Sequence, residues 1–466
     1  MPLCPLQARR CGGCTRLSVP YERQLRYKQK QLEGLFEHVM PITGMEEPYR
    51  YRNKIIAAVA HDREGLLTGQ YVYGTHYVLR QADCLLENAD AVRIVNSTRE
   101  ILNAARVPAW DEQRRTGLLR FVQVRYAART RQALVTLVTS SPEFSDGETL
   151  AEKLCEREPE VRGVIQNVNP RTGSAVLGFE EHILHGSPTI EDEMCGLRVR
   201  LSSRAFYQVN TLQAEKLYMK AIELAGLSGH EKVLDAYCGL GLIGMLAAGK
   251  GKEVVGIEQN PSAIRLAKRI AQANGIGNIR FERGDAARIL KDKRLSADLV
   301  LLDPPREGLS PAMTETLCTM LPERIVYISC NPVTQARDIH ALLSSGYRVS
   351  PVWPFDLFPH TEHVETVVQL SKGNISSEKI RVEFNLEDMD MSRFQQGATY
   401  EEIQEWVKEK YGFHVTHLNI AQVKRKHGII ERENYNKPRS PDSRQPGCPE
   451  KKVKAIEEAL RHFQMI

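Results

Sequence analysis

A chain of 466 residues is too long for one hydrophobic core and implies about three domains. Its 42% hydrophobic and 26% charged residues match a soluble globular protein, and no apolar stretch approaches the roughly 18 residues a membrane helix needs. The net charge of +5 permits an acidic partner such as nucleic acid without requiring one.

Residues 1–14 carry arginines and cysteines where a signal peptide needs an apolar core, so a cytoplasmic protein is expected. Ten cysteines in that compartment argue against disulfides and for metal-binding or catalytic thiols. Cys4, Cys11 and Cys14 have the spacing C-x6-C-x2-C, and Cys84 supplies a fourth thiol. Four thiolates suit tetrahedral zinc or a [4Fe-4S] cluster, and spacing does not choose between them. Tyr21 to Phe36 has apolar residues at helical spacing and predicts an amphipathic helix, completing a segment 1–45.

Residues 46–200 turn to short alternating runs, such as Leu118 to Tyr126 and Ala133 to Val138. These predict antiparallel strands with one solvated face. Arg50-Tyr51-Arg52-Asn53-Lys54 interleaves cations with an aromatic ring. Arg52 and Lys54 are candidates for phosphate and base contacts, and a solvated strand end reads equally well.

From about residue 210 the pattern becomes strand–helix–strand, which implies a parallel, doubly wound sheet over 201–371. Lys232 to Asp235 is a strand running into a literal G-x-G-x-x-G at Gly239, Gly241 and Gly244, and Val254 to Ile257 is a strand ending at Glu258. A carboxylate there bonds a ribose hydroxyl pair, so the bare pattern admits NAD, an empty tight turn or S-adenosylmethionine. Asp235 favours the last, because an acid before the loop meets a cationic amino-acid end better than a pyrophosphate. Asp285, after the strand Ile279 to Phe281, suits the exocyclic amine of adenine, since a carboxylate only accepts hydrogen bonds. Farther on, Leu299 to Leu302 ends in Asp303-Pro304-Pro305-Arg306, and Ile325 to Ile328 ends in Ser329-Cys330-Asn331-Pro332. Two strands thus deliver a carboxylate and a thiol to one crevice, where open α/β sheets bind ligands. Alone, Cys330 would read as a buried structural thiol.

Residues 372–466 form a further extension of α+β pattern. It has a strand from Lys379 to Leu386, a helix from about Tyr400 capped by Thr399 and Glu402, a polar loop over 433–449 and a last charged helix.

Taken in order, five segments resemble the RNA uracil-5-methyltransferases. They are Phe206-Tyr207-Gln208-Val209-Asn210, Asp235 to Gly241, Asp303 to Arg306, Ser329 to Pro332, and Phe358 to Val367. The resemblance covers about residues 1–371 and is greatest to the iron–sulfur subgroup acting on 23S ribosomal RNA. It implies a Rossmann-like class I methyltransferase domain using S-adenosylmethionine, with Cys330 as nucleophile toward carbon 6 of uracil and Glu365 as the base that removes the carbon 5 proton. It places Gln208, Tyr237, Gly239, Gly241, Glu258, Asp285 and Asp303 around the cofactor, Tyr237 flanking the adenine and Asp303 between cofactor and target base. Phe206 resembles the family's base-contacting aromatic, and a flipped-out uridine would stack there.

The subgroup carries a [4Fe-4S] cluster where Cys4, Cys11, Cys14 and Cys84 stand. That cluster would staple the N-terminal segment to the central domain, and the remaining cysteines would be inert. The expected partner is 23S ribosomal RNA, with no membrane and no DNA, and the expected state is a monomer. Two departures stand out. The small RNA-binding TRAM barrel of many members is expected to be absent, and the C-terminal extension is additional. There, Lys424-Arg425-Lys426, Lys437 and Arg439 would either meet RNA or face solvent. The rival expectations are a transfer-RNA uracil methyltransferase of the same chemistry, whose members generally lack the cluster cysteines, an NAD-dependent oxidoreductase, and a non-catalytic RNA scaffold.

Overall fold

Two hydrophobic periods in the chain build two different sheets. The computed structural model describes residues 4–171, 175–372, 400–427 and 448–462. It divides into two units, Met1–Val382 and Glu383–Ile466.

In the first unit, helix α1 (Tyr21–Glu33) is followed by β1 (Lys54–Asp62), β2 (Gly65–Gly69), α2 (Ala89–Ala104), β3 (Leu119–Ala127), β4 (Gln132–Thr139), α3 (Gly147–Arg157), β5 (Val161–Val168) and β6 (Glu180–Gly186). The strands form one sheet in the order β2-β1-β3-β4-β5-β6. Its pairs are antiparallel except β4 and β5, which run parallel because α3 is a crossover helix between them. The single solvated face expected from the sequence is also not found on the central strands. Val122, Val124 and Val135 pack against Ile94, Leu102, Leu150 and Leu154 of α2 and α3. The opposite face, with Leu134 and Ile165, joins the hairpin β7 (Thr189–Met194) and β8 (Leu197–Ser202) in the next core. Alternation survives in this sheet as a choice between two buried neighbours.

After α4 (Thr211–Ala225) the strictly alternating part begins: β9 (Lys232–Ala236), α5 (Leu242–Ala248), β10 (Glu253–Glu258), α6 (Pro261–Ala273), β11 (Ile279–Arg283), α7 (Ala286–Lys293), β12 (Leu299–Leu302), α8 (Pro311–Met320), β13 (Arg324–Ser329) and α9 (Pro332–Leu343). Strands β14 (Tyr347–Val349), β15 (Trp353–Phe355) and β16 (Glu365–Lys372) close it. The order is β11-β10-β9-β12-β13-β16-β14, with β15 beside β16. Strands β9 to β13 are parallel, and β16 inserts antiparallel beside β13. From β9 the chain moves first to one side and then to the other, and this reversal opens a crevice at the carboxyl ends of β9 and β12. One buried cluster runs from Leu134 and Ile165 through Val254 and Leu299 to Val326 and Val367, so the two sheets share a core.

The second unit packs α10 (Tyr400–Tyr411), α11 (His417–Lys426) and α12 (Glu450–His462) around Ile403, Val407, Ile420 and Ile456. Its middle helix was not foreseen. The strand expected from Lys379 to Leu386, the cap residue Thr399, and Lys437 and Arg439 lie outside the described residues. Lys424 is buried, and Lys426 pairs with Glu457 at 3.2 Å on the bundle surface. Among the described residues no helix is long and apolar enough to cross a membrane.

Candidate active site

Tight backbone geometry comes first. After β9 the chain turns through Tyr237 at φ +66° and Gly241 at φ +75°, and at Gly241 a Cβ would fall 2.6 Å from the Phe281 ring. A non-glycine residue in the left-handed region is costly, and Tyr237 holds it at the mouth of the crevice. Gly244 has no space for a Cβ because Asp235 Oδ2 would stand 2.6 Å away. That oxygen accepts the Gly244 N–H at 2.9 Å. Glu258 accepts the N–H groups of Gly239 and Asn260 at 3.2 and 2.7 Å, binding β10 to the glycine turn. Asp285 is exposed. One oxygen caps α7 by accepting the Arg288 N–H at 2.9 Å, and the other accepts from Gln259 at 3.2 Å.

Asp303 follows β12 and Cys330 follows β13, both half-buried. Asn331 accepts the Val333 N–H at 3.2 Å and donates to the Arg306 carbonyl at 3.0 Å, so the turn carrying Cys330 is tied to the loop carrying Asp303. Ser329 pairs with Thr366 in the β13–β16 register. One step farther along these antiparallel strands brings Cys330 level with Glu365, the first residue of β16 and 4% exposed. Burial pushes the Cys330 thiol up to about 12, with the Glu365 carboxylate adding to the rise and Arg306 opposing it. Burial and Asp303 raise Glu365 well above the usual carboxylate range. Asp303 rises to about 7 by burial, and Asp235 to about 8 by burial, against the Gly244 N–H.

Buried Tyr218 on α4 also faces this crevice. It hydrogen-bonds Gln208 and senses Asp303, Glu365 and Asp235. Sequence reasoning missed it, since a tyrosine on the buried stripe of a helix carries no motif. Phe206, by contrast, is 71% exposed.

The loop before β16 is clamped by the N-terminal segment. Lys28 donates to Asp356 at 2.7 Å with both side chains buried. Gln24 accepts the His360 N–H at 2.9 Å, Tyr51 donates to the Pro359 carbonyl at 2.9 Å, and the Thr15 and Arg16 N–H groups reach the His360 carbonyl at 3.2 and 3.0 Å.

The segment 50–54 is turned inward. Arg50 forms a two-pronged pair with Asp83 at 2.6 and 2.8 Å, and Arg52 donates to the Gly13 carbonyl at 3.0 Å. Asn53 holds the Gln208 carbonyl and Thr211. Lys54 is half-buried, and desolvation beside Arg125 lowers its ammonium to about 8. Arg52 and Lys54, the candidates for phosphate and base contacts, are thus half-buried, and the Arg52 guanidinium is engaged within the protein.

Cys4, Cys11, Cys14 and Cys84 come together around one small pocket of about 20 Å³, lined also by Arg52 and Glu87. That volume admits a water-sized group. Burial raises Cys11, takes Cys14 up to about 11 and takes Cys84 up to about 12. All ten cysteines are free. Among the described residues no three His, Cys, Asp or Glu side chains are grouped so as to hold a metal ion, so the four thiols meet without converging on a common centre.

The family model described as tRNA (uracil-5-)-methyltransferase matches residues 21–373. The chain belongs to this family. An uncharacterized RNA methyltransferase of Halalkalibacterium halodurans is 37% identical over 382 residues, 80% of this chain and 83% of that one. Another, from Bacillus cereus, is 37% identical over 380 residues, 79% and 82% of the two chains. The crystal structure of Pyrococcus abyssi tRNA (uracil-54, C5)-methyltransferase in complex with S-adenosyl-L-homocysteine is similar with a TM-score of 0.65 and 27% identity, covering 79% of this chain and 87% of that one.

A uracil-5-methyltransferase of this family is an S-adenosylmethionine-dependent RNA methyltransferase, and the crevice suits that cofactor. Asp235, Asp303 and Glu365 carry raised affinities for a proton, which mark buried acids short of positive partners. A ligand bearing ammonium and sulfonium charge would draw these acids into their charged form. The oxidoreductase reading of the glycine loop is overturned by the family match.

Proposed function

We propose that this enzyme methylates carbon 5 of a uridine in 23S ribosomal RNA through a covalent adduct on Cys330. The observation that carries the mechanism is the register that sets Cys330 level with Glu365 beside Asp303. Cys330 Sγ, once deprotonated, adds to carbon 6 of a flipped-out uracil, and the resulting enolate makes carbon 5 nucleophilic. S-adenosylmethionine, when bound, supplies an electrophilic methyl group on a sulfonium. Gln208, Tyr237, Gly239, Gly241, Glu258, Asp285 and Asp303 would hold it. Glu365 then takes the carbon 5 proton, the carbon 5–carbon 6 double bond reforms, and the Cys330 thiolate leaves. Arg306, which opposes the rise of both Cys330 and Glu365, favours their charged forms.

Cys4, Cys11, Cys14 and Cys84 would hold a [4Fe-4S] cluster. The all-thiol donor set gathered around one pocket supports this. Its contribution is a crosslink, since methyl transfer moves no electron. In this reading residues 1–45 carry the cysteine segment, 46–200 grip RNA, 201–371 transfer the methyl group, and 372–466 has no assigned role. The enzyme acts as a cytoplasmic monomer. A second reading, a transfer-RNA target, is favoured by the name of the Pyrococcus abyssi enzyme.

Mapping 5-methyluridine in ribosomal and transfer RNA from cells with and without the gene decides between them. Loss of a methyl group from a 23S uridine is the expected result. Loss confined to transfer RNA overturns the ribosomal target and leaves the chemistry intact.

A further inference from the structure

Two phenyl rings stand in water where the chain approaches the crevice. Phe179 is 77% exposed and Phe206 71%, the highest values among the large hydrophobic residues described. Phe179 immediately precedes β6, an edge strand whose side chains are almost all exposed. The guanidiniums of Arg171 and Arg204 lie 4.7 and 5.1 Å from the centre of its ring, and Arg204 also donates to the Phe179 carbonyl at 3.4 Å. Among the described residues neither arginine forms an ion pair, although carboxylates are near. Glu181 is occupied by Asn167 and Ser203, and Glu180 by His182.

We propose that Arg171, Phe179 and Arg204 form a platform that grips the RNA strand beside the target uridine, a proposal that rests on the uridine-methylating reading above. Apolar rings left in water mark an interaction surface. A ring stacked with guanidiniums that form no ion pair selects a partner that offers flat bases and phosphates together. The platform is held firmly. The buried side chains of Gln123 and Arg125 donate to the carbonyls of Ser203 and Ala205 at 2.8 and 2.6 Å, fixing the strap that carries Arg204 and Phe206. Gln208 lies four positions after Arg204 and contacts Tyr218 beside Asp303 and Glu365. Even fully extended, that span is at most about 14 Å, so the platform stands within a few nucleotides of a base entering the crevice.

The test measures binding of unmodified 23S ribosomal RNA and unmodified transfer RNA transcripts across a salt series. Phe179→Ala is expected to weaken binding of the preferred transcript roughly tenfold, and Phe179→Trp to restore it. Arg171→Ala with Arg204→Ala is expected to reduce the slope of log affinity against log salt by about 1.4, two phosphate contacts on a single strand. Binding of S-adenosylhomocysteine should not change in these surface variants. Unchanged RNA affinity and slope in variants that melt like the parent overturns the platform, as does absence of binding by the parent. Failure of the parent to form 5-methyluridine sinks the uridine-methylating reading instead, and the binding measurements still decide the platform.

Discussion

A lone thiol in the crevice and four thiols around the N-terminal pocket have different companions. Cys330 sits among Glu365, Asp303 and Arg306, groups able to take, hold and favour charge at a reacting base. Cys4, Cys11, Cys14 and Cys84 sit mainly among one another, with Arg52 and Glu87 at the wall. Burial raises the thiol pKa in both places, so desolvation alone does not distinguish a nucleophile from a metal ligand. What separates them is the neighbour. A carboxylic base levelled with the sulfur by strand register suits a thiol that must add and leave, whereas like neighbours suit thiols that await a cation.

The contrast breaks first at Cys330. Cys330→Ala should lower methyl transfer at least about a thousandfold while S-adenosylhomocysteine binding is retained, checked by single-turnover transfer and calorimetry. Its partner gives a sharper signature. Glu365→Gln should accept the methyl group and then fail to release the product, so a protein–RNA adduct accumulates on denaturing gels and turnover falls about 10²–10⁴-fold. A fast Cys330→Ala enzyme, or a slow Glu365→Gln enzyme with no adduct, would end the assignment.

The next effect lies on the link between the pockets. The loop before Glu365 is held by Lys28 on α1, in the N-terminal segment that also carries three of the pocket cysteines. Lys28→Met leaves Asp356 buried without its cation, which should cost about 3–5 kcal/mol in chemical denaturation. A loss below about 1 kcal/mol would mean that water reaches the pair.

The crevice was largely legible in the sequence because strand ends obey a rule. An apolar run followed by Asp303 or Cys330 announces a residue at the carboxyl edge of a parallel sheet, and the structure puts both there. Tyr218 was illegible because its role depends on how α4 packs over the sheet, and nothing in its helical stripe encodes that. Arg52 misled for a related reason. A basic, aromatic-interleaved stretch looks like a surface patch, but Asn53 pins it to the Gln208 segment and its neighbours fold inward with it. The two-sided burial of β3 and β4 escaped because alternation reports two different faces without reporting what covers each.

Protonation offers a smaller effect in the crevice. Asp235 and Asp303 bind protons more tightly folded than unfolded, with folded values of about 8 and 7. Their contribution to stability is therefore full below about pH 4 and is lost as pH rises through 7 to 8. Ligand-free protein should melt lower at pH 8.5 than at pH 5.5, and Asp235→Asn should flatten the trend. Affinity for S-adenosylmethionine should move the opposite way, rising with pH as the carboxylates ionise to meet its positive charge. A melting temperature indifferent to Asp235→Asn would show that water already solvates this carboxyl.

The smallest expected effect on rate is at the cysteine pocket, and it separates the two thiol sites most cleanly. Cys84→Ser should abolish binding of iron, measured per chain in protein purified without oxygen, while methyl transfer stays within about tenfold of the parent. The reason is redundancy. With a cluster bound, Cys84 would join the central domain to a segment that is also fastened by the Gly12 N–H to the Tyr71 carbonyl and by Thr15 and Arg16 to His360. Losing the crosslink should loosen residues 4–14, seen as faster hydrogen exchange there, before the loop leading to Glu365 moves, because Gln24, Lys28 and Tyr51 still grip that loop. A parent protein carrying zinc without iron would replace the cluster with a single ion and keep the crosslink. A Cys84→Ser enzyme as dead as Cys330→Ala, yet folded, would collapse the distinction between the pockets and give the N-terminal thiols a direct part in the reaction.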